Sequence, residues 1–295
     1  MGANTELVYA KLPHSNTKNL SIHQRRLGSE FDTMKLLAKK WRSDSPYGVI
    51  EPLAFYPDLP AIVTCAAPGY PLRYEYRSAA RLLGFPRHRR KLLECVSHCG
   101  VWLREFQDAT VIGRGPFDVD ELLSYCNPRI EMLLESEATE FSKHLAESLT
   151  SSVRQLGESL SSEGVLITGR HNDFASHNVV SKDGSIRVID FSMFDSGAAA
   201  FDLCNFWFEL EMLKCDWTYS NSFLSRLQQR FLAAYGTPKP KEPDFSLARV
   251  RYTLNRLLTA LNACQTSRAD ARYRQRVVGV SYDWLQNFTE GNLLT

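Results

Sequence analysis

The sequence lacks the features that mark membrane, secreted and nucleic-acid-binding proteins. Its 295 residues contain no apolar run near the roughly 20 residues that a membrane-spanning helix needs. The N-terminus has no basic segment followed by an apolar core, which argues against a secretory signal. The formal charge is only +2, so there is no basic excess of the kind that nucleic-acid binders usually carry. We therefore expect a cytoplasmic protein with no membrane or nucleic-acid partner.

Paired cysteines are also missing. The odd count of seven and the absence of a C-x-x-C motif argue against a disulfide framework and against structural zinc. Most of these cysteines have apolar neighbours, so we predict free, buried thiols in a reducing compartment. They are Cys65, Cys95, Cys99, Cys126, Cys204, Cys215 and Cys264.

The order of sequence patterns predicts two lobes, and the 44% of hydrophobic residues is enough to give each a core. Patterns typical of strands cover residues 7–12, 48–55 and 61–65, around one amphipathic helix that begins near Leu20. Residues 66–71 are rich in Pro and Gly and cannot continue a strand, and mostly helical patterns follow them, including separate helices at 118–125 and 128–134. We predict an α+β fold with a small, mostly β lobe over residues 1–67 and a large, mostly helical lobe over residues 68–295.

Residues 169–203 concentrate the residue types that phosphoryl transfer requires. His171 and Asp173 are followed by Asn178, and Asp190 comes twelve residues later in an Ile-Asp-Phe sequence. The reaction needs a carboxylate to deprotonate the attacking hydroxyl and Mg²⁺ to gather the phosphates. Asp173 is the candidate base. Asn178 and Asp190 are candidate ligands because Mg²⁺ prefers hard oxygen atoms.

A β-hairpin between the two candidate ligands would explain their spacing. Residues 178–181 and 185–190 are predicted strands around a turn at 182–184. Because antiparallel pairing returns the chain to the same end, Asn178 and Asp190 should lie together, with Asp173 on the loop that enters that end. The alternative is an ordinary turn, since Asn and Asp are favoured in turns for backbone reasons.

These residues resemble a known family. The sequence HNDFASHN, followed by VIDF and later by FDL, looks like the Brenner-type motif of the aminoglycoside phosphotransferase and choline kinase family, which has a protein-kinase-like fold. The resemblance implies that Asp173 is the catalytic base and that Asn178 and Asp190 bind Mg²⁺. It also implies that His171 braces the loop. Asp202, in the later Asp-Leu pair, becomes a candidate for a structural or substrate-side position.

Two departures from the family pattern fall within the loop. Asn172 stands where the family commonly has glycine, and Ala175-Ser176-His177 replaces a frequent His-Pro-Gly. His177 is therefore either a residue that fills the loop or one that touches the substrate.

The resemblance extends to the first lobe and implies ATP or GTP as co-substrate. Lys11 resembles the lysine that holds the nucleotide phosphates, and Glu30 resembles its helix partner, although each alone would be an ordinary surface charge. Residues 62–67 resemble the strand and hinge that hold adenine, so Thr64 and Ala66 are predicted to contact the base. Gly2 is the only glycine before Lys11, where the family has a Gly-rich cover. We consider a truncated N-terminus, a misassigned start and a reduced small lobe.

The acceptor is predicted to be a small molecule. Only residues 191–197 separate Asp190 from the next predicted helix, where protein kinases have a long activation segment, and Asn172 replaces the Arg that precedes their catalytic Asp. Acidic and aromatic residues after the motif suggest a cationic acceptor such as an aminoglycoside or amino alcohol, but solvated helix faces and core packing explain them equally well. They are Asp195, Asp202, Glu209, Glu211 and Asp216, with Trp207, Trp217, Tyr219 and Trp284.

Two further hypotheses stay open. The basic run RHRRK at residues 87–91 either meets an anionic group or forms a solvated turn. The alternative function for the whole chain is a kinase-like binding or scaffold protein without turnover. The sequence does not specify an oligomeric state.

Overall fold

The computed structural model describes residues 7–12, 20–42, 44–136, 140–237, 243–262 and 267–291. Its strands are β1 Val8–Lys11, β2 Pro52–Tyr56, β3 Ala61–Cys65, β4 Tyr70–Pro71, β5 Gly113–Gly115, β6 Val165–Arg170, β7 Val179–Lys182, β8 Ser185–Val188 and β9 Asp195–Ala198. Its helices are α1 Leu20–Ala38, α2 Arg73–Ala79, α3 Pro86–Ala109, α4 Val119–Glu135, α5 Lys143–Glu163, α6 Ala200–Leu213, α7 Asn221–Tyr235, α8 Pro243–Asn262 and α9 Arg268–Thr289.

The first part of the chain forms a small antiparallel sheet with the order β1-β3-β2, packed against α1. The predicted apolar stripe of α1 supplies the contact, since Leu27 and Met34 are buried and Phe31 stacks on Phe55 at 6.0 Å between ring centroids. The predicted strand 48–55 was wrong in its first half, because β2 begins only at Pro52. Val49 pairs instead with Val188 of β8 in an isolated parallel bridge, which links the two parts of the molecule.

Two small sheets in the second part position the central segment. The predicted hairpin is confirmed as β7 and β8, and Asp183 and Gly184 at its tip have positive φ angles of 51° and 91°. Positive φ at both central residues is typical of the tight turns that favour Asp-Gly. The strand β6 leads into the loop with Asp173, and it pairs with β9 and β5. Most of β9 therefore lies in residues 191–197, the segment between Asp190 and the next helix in which no strand was predicted.

The rest of the second part is helical, as predicted. Helix α3 packs against α7, and α8 contacts α4, α5, α6 and α9. The two helices predicted at 118–125 and 128–134 are one helix, α4, with Pro128 inside it. Pro128 has no N–H to donate along the helix. The next residue, Arg129, donates from its side chain to the carbonyl of Tyr125 at 2.7 Å. One buried face continues across the proline, formed by Leu122, Leu123, Cys126, Ile130 and Leu133.

Two of the predictions made from missing features can be compared with this architecture. Across the part of the chain that the structure describes, no helix is long and apolar enough to cross a membrane. The prediction of buried free thiols is confirmed for Cys95, Cys99, Cys126, Cys204 and Cys215. Cys264 lies outside the described residues. The boundary at residues 67 and 68 stays a prediction.

Candidate active site

A buried carboxylate holds the loop that follows β6. Asp202, in the first turn of α6, accepts the backbone N–H of His171 at 2.6 Å and that of Asn172 at 2.9 Å. Its side chain is completely buried, and this burial raises the pKa of Asp202 to about 7. The structure therefore does not support a substrate-side position for Asp202, because its carboxylate has no access to a ligand. It supports the structural position instead.

His171 packs inside the same loop. Its Nε2 lies 3.0 Å from the carbonyl of Ile189, so Nε2 carries the proton and donates, and Nδ1 is the unprotonated nitrogen. Burial lowers the pKa of His171, which favours this neutral form. The contact joins the loop before Asp173 to the strand that leads to Asp190, which agrees with a bracing role and gives His171 no open position for a substrate.

Two residues of the site have backbone conformations that glycine usually adopts. Asn172 has a φ angle of 62° and Asp190 one of 65°. Asn and Asp tolerate this left-handed region better than other non-glycine residues. Asn172 also donates from its side-chain amide to the carbonyl of Met193 at 2.9 Å. This explains how Asn can replace the glycine common in the family without moving the loop.

Asp173, Asn178 and His177 form a compact group. The amide of Asn178 donates to the Asp173 carbonyl at 2.9 Å and to Asp173 Oδ2 at 2.8 Å. His177 Nε2 is 3.0 Å from the same Oδ2, and this hydrogen bond raises the pKa of His177. Among the described residues Oδ1 of Asp173 has no hydrogen-bond partner, so this oxygen is available to accept a hydrogen bond from a ligand.

Lys11 joins the first part of the chain to the motif. Its Nζ donates to both carboxylate oxygens of Glu30, at 2.9 and 3.0 Å, and to Asp190 Oδ1 at 2.7 Å. Burial opposes its charge, but these two partners together raise the pKa of Lys11. Burial raises the pKa of Glu30, which is 3% exposed, and Lys11 opposes that shift. We take the pair as ionised because Lys11 has carboxylates on two sides. The structure therefore brings together three predicted residues from distant parts of the sequence.

The donor set suits a magnesium ion. Burial would raise the pKa of Asp190, but hydrogen bonds from Lys11 and Ser192 lower it, so the group is a carboxylate. Asn178 uses its amide nitrogen to bind Asp173, which leaves its side-chain oxygen for another contact. Within the described ranges no three His, Cys, Asp or Glu residues cluster in a way that could hold a metal. One carboxylate and one amide oxygen are enough for Mg²⁺, which keeps several waters and binds substrate phosphates.

An aromatic cluster in the core supports both sides of the motif. The rings of Phe174 and Phe191, which directly follow Asp173 and Asp190 in the sequence, lie 5.1 and 6.4 Å from the ring of Trp102 in α3. Trp41, just after α1, stacks on the same tryptophan at 5.8 Å. All of these rings except Trp41 are at most 1% exposed.

The guanidinium of Arg170 fixes the end of β6 directly before the loop. It is 2% exposed and donates to Asp195 at 2.8 and 2.9 Å and to Glu121 at 2.8 Å. Burial opposes its charge, but these carboxylates raise the pKa of Arg170 overall. Gly197 on β9 makes room for it, because a Cβ atom there would lie 2.3 Å from Arg170 Cζ. Arg170 was not among the predicted site residues, although its place at the end of a predicted segment beside His171 was visible in the sequence.

A cavity of about 220 Å³ opens beside Asp173. Glu209 of α6 lines it and accepts hydrogen bonds from the backbone N–H of Ser176 at 2.8 Å and from the Ser176 hydroxyl. The Tyr252 hydroxyl is buried and has no hydrogen-bond partner in the part of the chain described here. Most other lining side chains are polar, namely Asn205, His177, Asn255, Arg256 and Thr259, and the apolar ones are Ala175 and Phe208. Asp202 and Glu209 are seven residues apart on one helix, a spacing that could have identified both as contacts of the loop.

The predicted acidic pocket and aromatic cage do not form as such. Asp195 binds Arg170, Glu211 binds Lys214 at 2.7 Å, and Asp216 accepts the N–H of Thr218. The space between Trp207 and Trp284 is taken by Arg249, whose Cζ lies 5.2 and 4.5 Å from their ring centroids. Of the predicted acidic residues, Glu209 alone lines the cavity beside Asp173.

The predicted adenine contacts lie at the end of β3. Thr64 is buried in the sheet opposite Tyr9, and the N–H of Ala66 donates to the carbonyl of Leu7 at 3.0 Å. Of the two backbone polar groups of Ala66, only the carbonyl therefore remains to bind the base of a nucleotide. A cavity of about 600 Å³ is also lined by residues 65–68, but Lys11, Asp173 and Asp190 are not part of it. This cavity is therefore separate from those three residues.

Comparison with known proteins agrees with this geometry. A family model described as the phosphotransferase enzyme family matches residues 70–251, more than half of the chain. The chain belongs to this family. Among curated proteins, no sequence matches this family member significantly.

Solved structures of kinases share the fold of this phosphotransferase-family protein. Glucosamine kinase in complex with glucosamine, ADP and inorganic phosphate superposes with a TM-score of 0.61 at 16% identity, over 97% of this chain and 78% of that one. Choline kinase LicA from Streptococcus pneumoniae gives 0.52 at 16%, over 95% and 87%. A thermostable mutant of aminoglycoside phosphotransferase APH(4)-Ia, with ADP and hygromycin B, gives 0.52 at 15%, over 88% and 82%.

These similarities establish the protein-kinase-like fold, with a small sheet-containing lobe and a larger helical lobe. The fold predicted from the sequence is confirmed.

Proposed function

We propose that this protein transfers the terminal phosphoryl group of ATP or GTP to a hydroxyl of a small polar molecule, in a Mg²⁺-dependent reaction in the cytoplasm. The single observation that carries the proposal is a chain of contacts: Asn178 binds Asp173 through its side chain and accepts the backbone N–H of Ile189, and the next residue, Asp190, binds Lys11. Family membership supports the reaction class. The acceptor class, aminoglycoside-like or amino-alcohol-like, is proposed from the polar cavity beside Asp173.

Asp173 is the proposed base. Because Oδ2 already accepts from Asn178 and lies beside His177, the free Oδ1 is the atom that would take the proton of the acceptor hydroxyl. The hydroxyl oxygen then attacks the terminal phosphorus, and the bond from that phosphorus to the bridging oxygen breaks. Asn178 fixes the carboxylate through two hydrogen bonds, one to its side chain and one to its backbone. Fixed geometry of this kind lowers the entropic cost of reaching the transition state.

Lys11 is the proposed contact of the nucleotide phosphates, and Glu30 orients it. Thr64 and Ala66 are proposed to lie near the base, with the Ala66 carbonyl as the available polar group. Asn178 and Asp190 would hold Mg²⁺, which when bound supplies positive charge to the phosphates during transfer. Phe174 and Phe191, which follow Asp173 and Asp190 in the sequence, both contact Trp102, so we propose that this aromatic cluster aligns the two acids.

A coupled assay of nucleoside diphosphate release tests the proposal. Purified protein with Mg²⁺ and either ATP or GTP should release diphosphate only when a suitable acceptor from a panel of aminoglycosides, amino sugars and amino alcohols is present. Asp173→Asn should lower kcat about a hundredfold or more, because a general base typically contributes that much. Asp58→Asn is the matched control, since Asp58 is an exposed carboxylate in the turn between β2 and β3.

The same assay separates the proposal from a scaffold without turnover. Undiminished turnover in Asp173→Asn would remove Asp173 from its role. A lack of turnover with every acceptor, together with no change in melting temperature when nucleotide and Mg²⁺ are added, would contradict the enzymatic function as a whole.

A further inference from the structure

An exposed apolar loop lies between α2 and α3. Leu82, Leu83 and Phe85 are 58%, 93% and 70% exposed. Trp217, 61% exposed, is next to Thr218, whose carbonyl accepts the N–H of Leu82 at 3.0 Å. Soluble proteins seldom expose large apolar side chains in a contiguous group without a partner. We therefore expect a binding partner to cover these four side chains.

The loop is held in one shape, so its exposure does not reflect a random tail. Arg89 donates from its guanidinium to the carbonyls of Ala79, Arg81 and Leu82, at 3.2, 2.9 and 3.3 Å. Gly84 is required at the bend, because a Cβ atom there would lie 2.0 Å from the Ala79 carbonyl oxygen. The apolar side chains are thus presented outward by a rigid backbone.

The stretch of sequence that carries most of these apolar side chains is strongly basic. Residues 73–91 contain seven Lys and Arg and one acidic residue, Glu75, which gives a net charge of +6. The whole chain carries only +2, so the remaining residues together carry −4. Arg81, Arg87 and Arg90 are exposed, and Lys91 is the member of the run paired with an acid, Asp183, at 2.7 Å. We refer to Leu82, Leu83, Phe85 and Trp217 with Arg81, Arg87 and Arg90 as the basic–apolar face.

This combination favours an anionic lipid surface over other occupants. A second copy of the chain meeting the same face would bring two strongly positive segments together, which is repulsive in a two-fold contact. A nucleic acid would satisfy the arginines but offers little to leucine and phenylalanine side chains at the tip. A bilayer with anionic headgroups meets both needs, because apolar side chains enter the interface and arginines bind headgroups. Tryptophan is itself enriched at that interface.

We propose that the basic–apolar face docks this protein peripherally on anionic phospholipid bilayers, with Leu83 and Phe85 inserted at the headgroup boundary. The absence of a spanning segment and of an overall basic excess had predicted no membrane partner. The local charge of residues 73–91 was hidden by the near-neutral total. The proposal does not depend on the proposed phosphoryl transfer.

Vesicle sedimentation of the full chain tests the proposal. Vesicles of phosphatidylcholine with phosphatidylserine should sediment the protein at low salt, and phosphatidylcholine alone should not. Leu83→Ser with Phe85→Ser should reduce binding at least tenfold. Arg87→Gln and Arg90→Gln should each reduce it about fivefold, which corresponds to one basic residue at an anionic surface. High salt should weaken binding because it screens these charges.

Matched controls remove similar groups elsewhere. Leu59→Ser removes a leucine that is 68% exposed in the turn between β2 and β3, and Arg25→Gln with Arg26→Gln removes two exposed arginines of α1. Thermal unfolding of every variant checks the fold. Vesicle binding that is absent, independent of phosphatidylserine, or equally reduced by the controls would overturn the proposal. So would a dimer that dissociates in the Leu83→Ser, Phe85→Ser variant, or RNA binding that only the arginine variants abolish.

Discussion

The packing of Arg170 against Gly197 gives a prediction that can be worked out in detail. In Gly197→Ala the new Cβ would stand 2.3 Å from Arg170 Cζ, so the guanidinium must leave its position. It would then lose its hydrogen bonds to Asp195 and Glu121. Hydrogen bonds to charged groups contribute about 1.5–3 kcal/mol each. The two carboxylates are 50% and 42% exposed, so water replaces part of this contribution. We expect a loss of about 2–3 kcal/mol in the free energy of unfolding.

A double-mutant cycle isolates this steric conflict. In Arg170→Met the guanidinium is gone, so adding Gly197→Ala should change the free energy of unfolding little. Alanine should also slightly favour the extended strand. We therefore expect a coupling energy of about 2 kcal/mol between the two changes, measured by urea unfolding at neutral pH. Gly279→Ala in α9 is the control, because its Cβ would meet nothing within 4 Å. It should stabilise the helix by about 0.5–1 kcal/mol. Additive effects, within about 0.5 kcal/mol, would refute the steric explanation.

Three further predictions concern the loop and the lysine. Asn172→Gly should lower the free energy of unfolding only by the contribution of the hydrogen bond to Met193, about 0.5–1.5 kcal/mol. Asn172→Val should lower it more, because a β-branched residue resists a φ of 62°. Unfolding midpoints in the reverse order would contradict this. Glu30→Gln should raise the Kd of nucleotide about tenfold, because the lost charge pairing at Lys11 is equivalent to about 1.4 kcal/mol of binding free energy. Isothermal titration calorimetry can measure this change. An unchanged Kd would exclude the orienting role of Glu30. The lowered pKa of His171 means that the unfolded chain binds a proton below about pH 6.5 that the folded chain does not. Stability should therefore be complete above that pH and fall as the pH decreases, by up to about 1.4 kcal/mol per pH unit, and His171→Gln should flatten this slope in urea unfolding.

Local sequence patterns were sufficient for the elements nearest the motif. The turn Asp183-Gly184 and the strands beside it are specified by neighbours within a few residues, so the hairpin could be predicted directly. The amphipathic pattern of α1 likewise predicted a helix with one buried side, on which Leu27 and Met34 lie. The contact of Lys11 with Asp190 spans 179 residues and was expected only because of the family resemblance.

Features that depend on distant partners could not be predicted. The strands β4, β5 and β9 have only two to four residues, too few for a recognisable period, and they form because β6 and β7 offer free edges. A buried arginine at position 170 is stable only because acids 25 and 49 residues away in sequence surround it. Arg249, which is distant in sequence from both Trp207 and Trp284, fills the space between these two tryptophans of the possible cage. The roles of the individual site residues stay predictions.

The contacts of Phe174 and Phe191 with Trp102 have a consequence for how this molecule can change. The acid that would take a proton and the acid that would hold a cation are each anchored one residue away, on the same indole, so their spacing is set by the interior. The side chains of α6 and α8 that line the acceptor cavity lie outside that stack. If the proposed function holds, exchange of those lining residues should change the preferred acceptor while the spacing of the two acids is kept. Truncation of the indole would disturb both acids at once.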